Sequence, residues 1–154
     1  MIKVETLIEA QVVRISLDKA NANAEVELLS ADKRVHWRLV AEGVDEFLME
    51  DLGLYNIVDD IFIYDADDVS DDDFVSKLYY LLKREEVSSD NISCRLLQER
   101  INLIRSGALQ FWVVNPVYGG LMFVLAKKIF VCRGNDSQRS PDGAQRNPGH
   151  CSDN

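Results

Sequence analysis

Apolar and polar positions alternate with a period of two through much of the first half of the chain. Between Ala24 and Leu29, Val26 and Leu28 alternate with Glu25 and Glu27; Val35, Trp37 and Leu39 then alternate with His36, Arg38 and Val40. Successive side chains of a strand face opposite sides, so this pattern predicts half-buried antiparallel strands. Met1 to Thr6 leads into a further strand over Leu7 to Leu17, rich in Val and Ile and closed by the turn-forming Asp18-Lys-Ala-Asn-Ala-Asn23. Ser30 to Lys33 reads as a short turn, and Asn56 to Tyr64 as another strand. The stretch between Gly43 and Gly53, with Val44, Phe47 and Leu48 set among acids, fits neither a strand nor a helix period cleanly.

The period then lengthens. Phe74, Leu78, Leu81 and Leu82 fall at i, i+4, i+7 and i+8, one face of a helix. Ser70 is the expected N-cap, with Asp73 in the capping-box position three residues on. Asp71 to Asp73 sit at the positive end of the helix dipole, Lys83 and Arg84 at the negative end. A second helix is predicted from about Ser93 to Ser106, with Leu97, Ile101 and Ile104 inward and Gly107 at C′. Leu109 to Val114 and the very apolar Leu121 to Val131 close the pattern as strands around the turn residues Asn115-Pro-Val-Tyr-Gly-Gly120, the last strand running through the middle of the sheet. The expected fold is α+β: a mainly antiparallel sheet of about six strands, with two consecutive helices inserted before the last two.

Composition divides the chain. Arg133 to Asn154 holds no Ile, Leu, Val, Met, Phe, Tyr or Trp. Such a segment buries too little apolar surface to offset its ordering entropy, so residues 1–132 are expected as one globular domain and 133–154 as a disordered tail. Within the tail, Ser140-Pro-Asp-Gly-Ala-Gln-Arg-Asn-Pro-Gly149 resembles a peptide encoded where dispersed bacterial repeat DNA is read through as protein. That resemblance implies a late genomic addition rather than a functional arm. His150 and Cys151 lie there, too few ligands for a metal site.

Charge is the strongest remaining signal. Between Leu39 and Ser76 stand 13 of the chain's 26 acidic residues and no Lys or Arg. The net charge of −9 argues against nucleic-acid binding, which needs a basic face, and against an anionic membrane surface. It favours a basic partner. No apolar run is long enough to span a bilayer and no signal peptide is read, so a cytoplasmic protein is expected. Cys94, Cys132 and Cys151 form neither a disulfide framework nor a CxxC pair.

Catalytic and ligand motifs are sparse. There is no GxGxxG, P-loop, GxSxG or HExxH. His36 is expected on a polar strand face. Counted as a calcium loop from Asp65, Val69, Ser70 and Ser76 occupy positions five, six and twelve, where a ligand, a glycine and a bidentate glutamate are required. No metal or cofactor is expected. Asp59 and Asp60 point to opposite faces of an apolar strand, so one carboxylate faces packing unless a bulge, an edge position or a partner such as Arg14 or Arg38 relieves it.

In size, acidity and a strand-rich first half ending in Val44 to Asp60, the chain resembles the small acidic immunity proteins of bacterial toxin systems. The resemblance implies a single non-catalytic domain that neutralises a toxin, commonly a basic nuclease. No diagnostic motif is matched, so no functional residue carries over. The leading expectation is a non-catalytic interaction protein whose acidic surface binds a basic protein, with Asp59, Asp60, Asp65, Asp67 and Asp68 as contacts. Three alternatives stay open: a small-molecule- or metal-binding domain with an aromatic pocket near Trp37, Trp112 and Tyr118, an enzyme using Asp59 or Asp60 with Glu42 as acid and base, and a structural or orphan domain whose charge serves solubility only. Trp112, Tyr118, Tyr79 and Tyr80 are the aromatic interface candidates. The apolar neighbours of Trp112 favour a strand buried on both faces.

Overall fold

The computed structural model describes residues 2–3, 7–53, 55–64, 66–69, 71–86 and 93–133. The expected tail therefore lies outside the described residues apart from Arg133, which extends the last strand and pairs with Trp37. The elements are β1 (Ile2–Lys3), β2 (Gln11–Asp18), β3 (Asn23–Leu29), β4 (His36–Glu50), β5 (Ile57–Tyr64), α1 (Asp72–Lys83), α2 (Arg95–Arg105), β6 (Gln110–Tyr118) and β7 (Leu121–Arg133). This is a mainly β fold of the α+β class, with both helices before the last two strands.

Every strand pairing is antiparallel, and the sheet closes on itself. The order is β5-β2-β3-β4-β7-β6, with β6 returning to β5 and the short β1 also pairing with β5. The seam between β2 and β5 is narrow. It rests on Val12 N donating to Asn56 O (2.8 Å), Val58 N to Ala10 O (2.9 Å) and Glu9 N to Val58 O (2.8 Å). Closure is confined to the start of β2, which pairs with β5 only at Gln11–Ile57, so its edge on that side from residue 13 to 18 has no strand partner among the described residues.

The turns form for local reasons. Between β2 and β3, Asp18 Oδ1 accepts from Ala20 N (3.0 Å) and Asn21 N (3.2 Å), an Asx-type turn. Between β3 and β4, Asp32 Oδ1 accepts from Ser30 Oγ (2.6 Å) and Arg34 N (3.1 Å). The segment expected as strand from Leu7 begins only at Gln11, because residues 7–9 make a turn with Glu9 at φ 62°. The unassigned stretch after Gly43 is strand: β4 runs through it, with Gly43 at φ +64° and the stem of Lys127 lying where a Cβ would stand, 2.8 Å from Lys127 Cδ. A register shift between Val44 and Glu46 sets Asp45 out of the ladder.

Two apolar clusters result. Inside the barrel, Val26, Leu28, Leu39, Val58, Ile61, Val114 and Val124 pack with Trp112 and the small Ala10, Ala24, Ala41 and Ala126. Trp112 is fully buried, as its apolar neighbours predict. The second cluster lies outside the barrel, where Tyr64, Phe111, Val113, Phe123 and Leu125 meet Phe74, Leu78 and Leu81 of α1 and Leu97, Ile101 and Ile104 of α2. Phe111 stands 5.7 Å from Tyr64, 5.8 Å from Phe74 and 6.0 Å from Phe123, centroid to centroid. Each such side chain contributes about 1.5–3 kcal/mol on full burial. Helix α1 is capped by Asp71, whose Oδ1 accepts from Asp73 N at 2.8 Å, one residue later than the expected Ser70, which itself lies outside the described residues. Gly107 ends α2 at φ +75°, donating to Ile104 O at 2.9 Å, as its C′ position predicts.

Candidate interaction surface

The bulge is what relieves the Asp59-Asp60 pair. The β5–β6 register jumps between Val58 and Asp60, which oppose Pro116 and Asn115 and leave Asp59 unpaired in the ladder. The extra residue shifts the phase, so Val58 and Ile61 both face the barrel interior while Asp59 is exposed and Asp60 half-buried. Neither expected arginine is the answer. Arg14 meets Glu27 at 3.4 Å, and Arg38 meets Glu25 through both its Nε and its Nη2.

The acidic run is not one face. In the ring, β4 and β5 stand three strands apart in either direction. Three of the five acids of the β4 half are engaged by neighbouring elements: Asp45 Oδ2 lies 2.6 Å from Arg100 Nε on α2, Glu50 accepts from Tyr80 Oη at 2.8 and 2.9 Å, and Glu42 lies 4.0 Å from Lys128, whereas the side chains of half-buried Glu46 and exposed Asp51 make no ion pair or hydrogen bond among the described residues. The rest lie on β5, on the link to α1 and on its first turn. Asp67 is exposed there and Asp68 half-buried, with Asp68 O accepting from Asp71 N at 3.0 Å. Asp65 falls outside the described residues. The side chains of Asp59 and Asp72 are exposed and make no ion pair or hydrogen bond among the described residues.

Lys77 tempers this side. Its Nζ donates to Asp73 Oδ2 (2.6 Å) and Tyr64 Oη (3.3 Å), and lies 5.4 Å from the Phe62 ring centre. Burial works against the ammonium, but the hydrogen bonds to Asp73 and Tyr64 outweigh it, so its pKa is raised. Burial likewise pushes the Tyr64 hydroxyl up.

The opposite outer face, on β2, β3 and β4, is a charge ladder. Arg14, Ser16, Glu25, Glu27, His36, Trp37 and Arg38 line a hollow of about 480 Å³. His36 is exposed there, on the polar face expected for it. The Arg38 guanidinium hydrogen-bonded to Glu25 holds that carboxyl below the usual range, the opposite of what a general acid needs. The aromatic pocket expected from Trp37, Trp112 and Tyr118 does not form: Trp112 fills the barrel interior, Trp37 lines the charge ladder and Tyr118 lines a separate hollow. Asp59 and Asp60 on β5 stand three strands from Glu42 on β4, so the acid-base pairing has no common site. Among the described residues, no group of three or more His, Cys, Asp or Glu is placed to hold a metal ion, and no helix is long and apolar enough to cross a membrane.

Tyr118, an expected interface aromatic, is exposed, and its neighbours are ones that the sequence does not mark. Tyr55, Val117 and Tyr118, exposed by 72%, 53% and 69%, line a hollow of about 420 Å³ with Leu29, Ile57 and Lys33. The loops bearing the two tyrosines are tied by buried Asn56, whose Oδ1 accepts from Gly53 N (3.0 Å) and Gly120 N (3.1 Å) and whose Nδ2 donates to Gly53 O (2.8 Å). The only signal for this in the sequence is the pair of glycines at 119 and 120. Of the other interface candidates, Tyr79 is buried and Tyr80 is held by Glu50. Comparison with known proteins finds no matching family model, no matching curated protein and no matching solved structure.

Proposed function

We propose that this is a non-catalytic interaction protein that takes a basic protein partner on its β5–α1 side. The observation that carries the reading is the division of the acidic run. Glu42, Asp45 and Glu50 of β4 are engaged by β7, α2 and α1, whereas the side chains of Asp59 and Asp72 stand exposed without partners among the described residues, in the same stretch of chain as Asp60, Asp67 and Asp68. Asp65 belongs to the same segment of sequence. A surface of one predominant sign raises encounter rates with an oppositely charged protein by roughly 10–10³. The filled barrel interior supports a surface role, since small barrels that hold ligands keep that space open. The resemblance to small acidic immunity proteins narrows the partner class to a basic bacterial toxin.

The test uses the full chain as bait in host lysate at low and physiological salt, followed by stopped-flow association with the protein retained. A stoichiometric basic partner is expected, with an on-rate that falls as salt rises. Changing Asp59 and Asp72 together to Asn should slow association while leaving stability within about 0.5 kcal/mol of wild type. Retention of no basic protein at either salt, or an on-rate indifferent to salt and to the double change, would rule the reading out.

A further inference from the structure

The most exposed large apolar side chains in the described structure, Tyr55 and Tyr118, face one hollow. Exposed aromatics are unremarkable when scattered, but these two are held. Asn56 is the only buried polar or charged residue among those described, and all three of its side-chain hydrogen bonds go to the two turns beside them. Gly119 has φ +87°, and a Cβ there would stand 2.1 Å from Asn56 Oδ1, so the turn beside Tyr118 is built around the Asn56 amide. A contact surface fixed in advance loses less entropy on binding, and aromatic side chains at such a surface dominate binding energy.

Charge says what kind of partner fits. Glu9 lines the hollow, and its amide donates to Val58 O at 2.8 Å, so it stands next to the residue preceding Asp59. Asp59 is exposed and partnerless among the described residues. The one cation lining the hollow is Lys33. A second copy of the chain would bring its own net charge of −9 to this side. We propose that the Tyr55–Tyr118 hollow anchors a single aromatic side chain of a basic protein, one flanked by Lys or Arg that Glu9 and Asp59 meet. This rests on the basic-partner reading above and adds the short-range contact to it.

Two synthetic peptides of equal positive charge separate the claims: a lysine-serine repeat with one central tryptophan, and the same repeat with serine in its place. Binding to the full chain is followed by fluorescence anisotropy of a dye on each peptide, at low and physiological salt. The tryptophan peptide is expected to bind about tenfold tighter or more. Tyr118→Ser should abolish that advantage and leave the serine peptide unchanged, with circular dichroism and melting as in wild type. Asp59→Asn should weaken both peptides alike. If the tryptophan gives no advantage, or Tyr118→Ser keeps it, the anchoring site is wrong while salt-dependent binding of both peptides leaves the basic-partner reading standing. If neither peptide binds even at low salt, both proposals fall. If binding of the tryptophan peptide is as tight at physiological salt and in Asp59→Asn as in wild type at low salt, or if sedimentation shows wild-type dimers that Tyr118→Ser dissolves, the occupant is not a basic protein and the proposal is overturned.

Discussion

Replacing Gly119 by alanine probes the link between Asn56 and the two turns most directly. The backbone there has φ +87°, and the added methyl would stand 2.1 Å from Asn56 Oδ1 and 2.8 Å from Tyr55 O. The left-handed backbone alone costs alanine about 1–2 kcal/mol. The methyl also expels the Asn56 amide, which leaves the amides of Gly53 and Gly120 without their acceptor. Gly53 is exposed and water replaces the lost bond; Gly120 is buried, and its unsatisfied N–H costs about 1–3 kcal/mol. The expected loss is therefore about 2–5 kcal/mol, a large part of the 5–15 kcal/mol typical of a whole domain. At about 2–4 °C per kcal/mol, the melting temperature should fall by roughly 4–20 °C.

The same geometry predicts the companion variant. Asn56→Ala orphans the Gly120 amide without straining the backbone and should cost about 1–3 kcal/mol. Once Asn56 is gone the closest clash at position 119 is gone too, so the double variant should cost less than the sum of the singles by about 1–3 kcal/mol. Urea unfolding of the four proteins gives the cycle. A Gly119→Ala variant within about 1 kcal/mol of wild type, or costs that add within about 0.5 kcal/mol, would refute the argument that the turn is built around the Asn56 amide.

The carboxyl of Glu25 is held below its ordinary pKa by Arg38, so its contribution is fully present above the ordinary glutamate value and is lost as pH falls through the lower folded value; in acid titrations of stability, Glu25→Gln should flatten that limb by no more than about 1 kcal/mol, since the pair is partly exposed. Asp45→Ala should cost about 1–2 kcal/mol by leaving Arg100 uncompensated, and adding Arg100→Met should recover part of it, read as a rise in melting temperature. Trp112 Nε1 is buried with no hydrogen-bond partner among the described residues, so Trp112→Phe removes an unsatisfied donor as well as volume; its cost should be about 1–2 kcal/mol against about 3–5 for Trp112→Ala, both from denaturant curves.

What the sequence disclosed was what period and punctuation encode. Val26 and Leu28 against Glu25 and Glu27, the Phe74-Leu78-Leu81 face and Gly107 each mark an element by a local rule, and each element formed as read. What it withheld depends on partners distant in the chain. A period of two cannot show an inserted residue, so the bulge that turns both Asp59 and Asp60 outward is visible only against the β6 register. Gly43 reads as a break, yet it lets a strand continue past the Lys127 stem. Tyr55 and Tyr118, 63 positions apart in the chain, share a hollow through a cross-link that no local pattern announces. The helix cap moved by one residue because Ser70 and Asp71 are both competent caps and the sequence does not rank them.

The division of the acids follows from the same topology. A one-sign run becomes a one-sign face only where the chain stays on one side of the molecule. Here the link from β4 to β5 crosses to a strand three places away around a ring of six, so any run spanning that link must split. The β4 half meets the helical layer, where Arg100 and Tyr80 engage it. The half beginning at Asp59 runs through the link into α1 and starts one residue beyond Val58, whose carbonyl holds Glu9 at the margin of the Tyr55–Tyr118 hollow. On the proposed reading, long-range attraction and the aromatic contact therefore converge at β5. Attraction without an anchor gives fast but short-lived encounters, and an anchor without attraction gives slow ones. A variant lacking only Tyr118 should therefore lose residence time, and one lacking only Asp59 and Asp72 should lose association rate. Both changes appearing in the same rate constant would show that these residues do not divide the binding in this way.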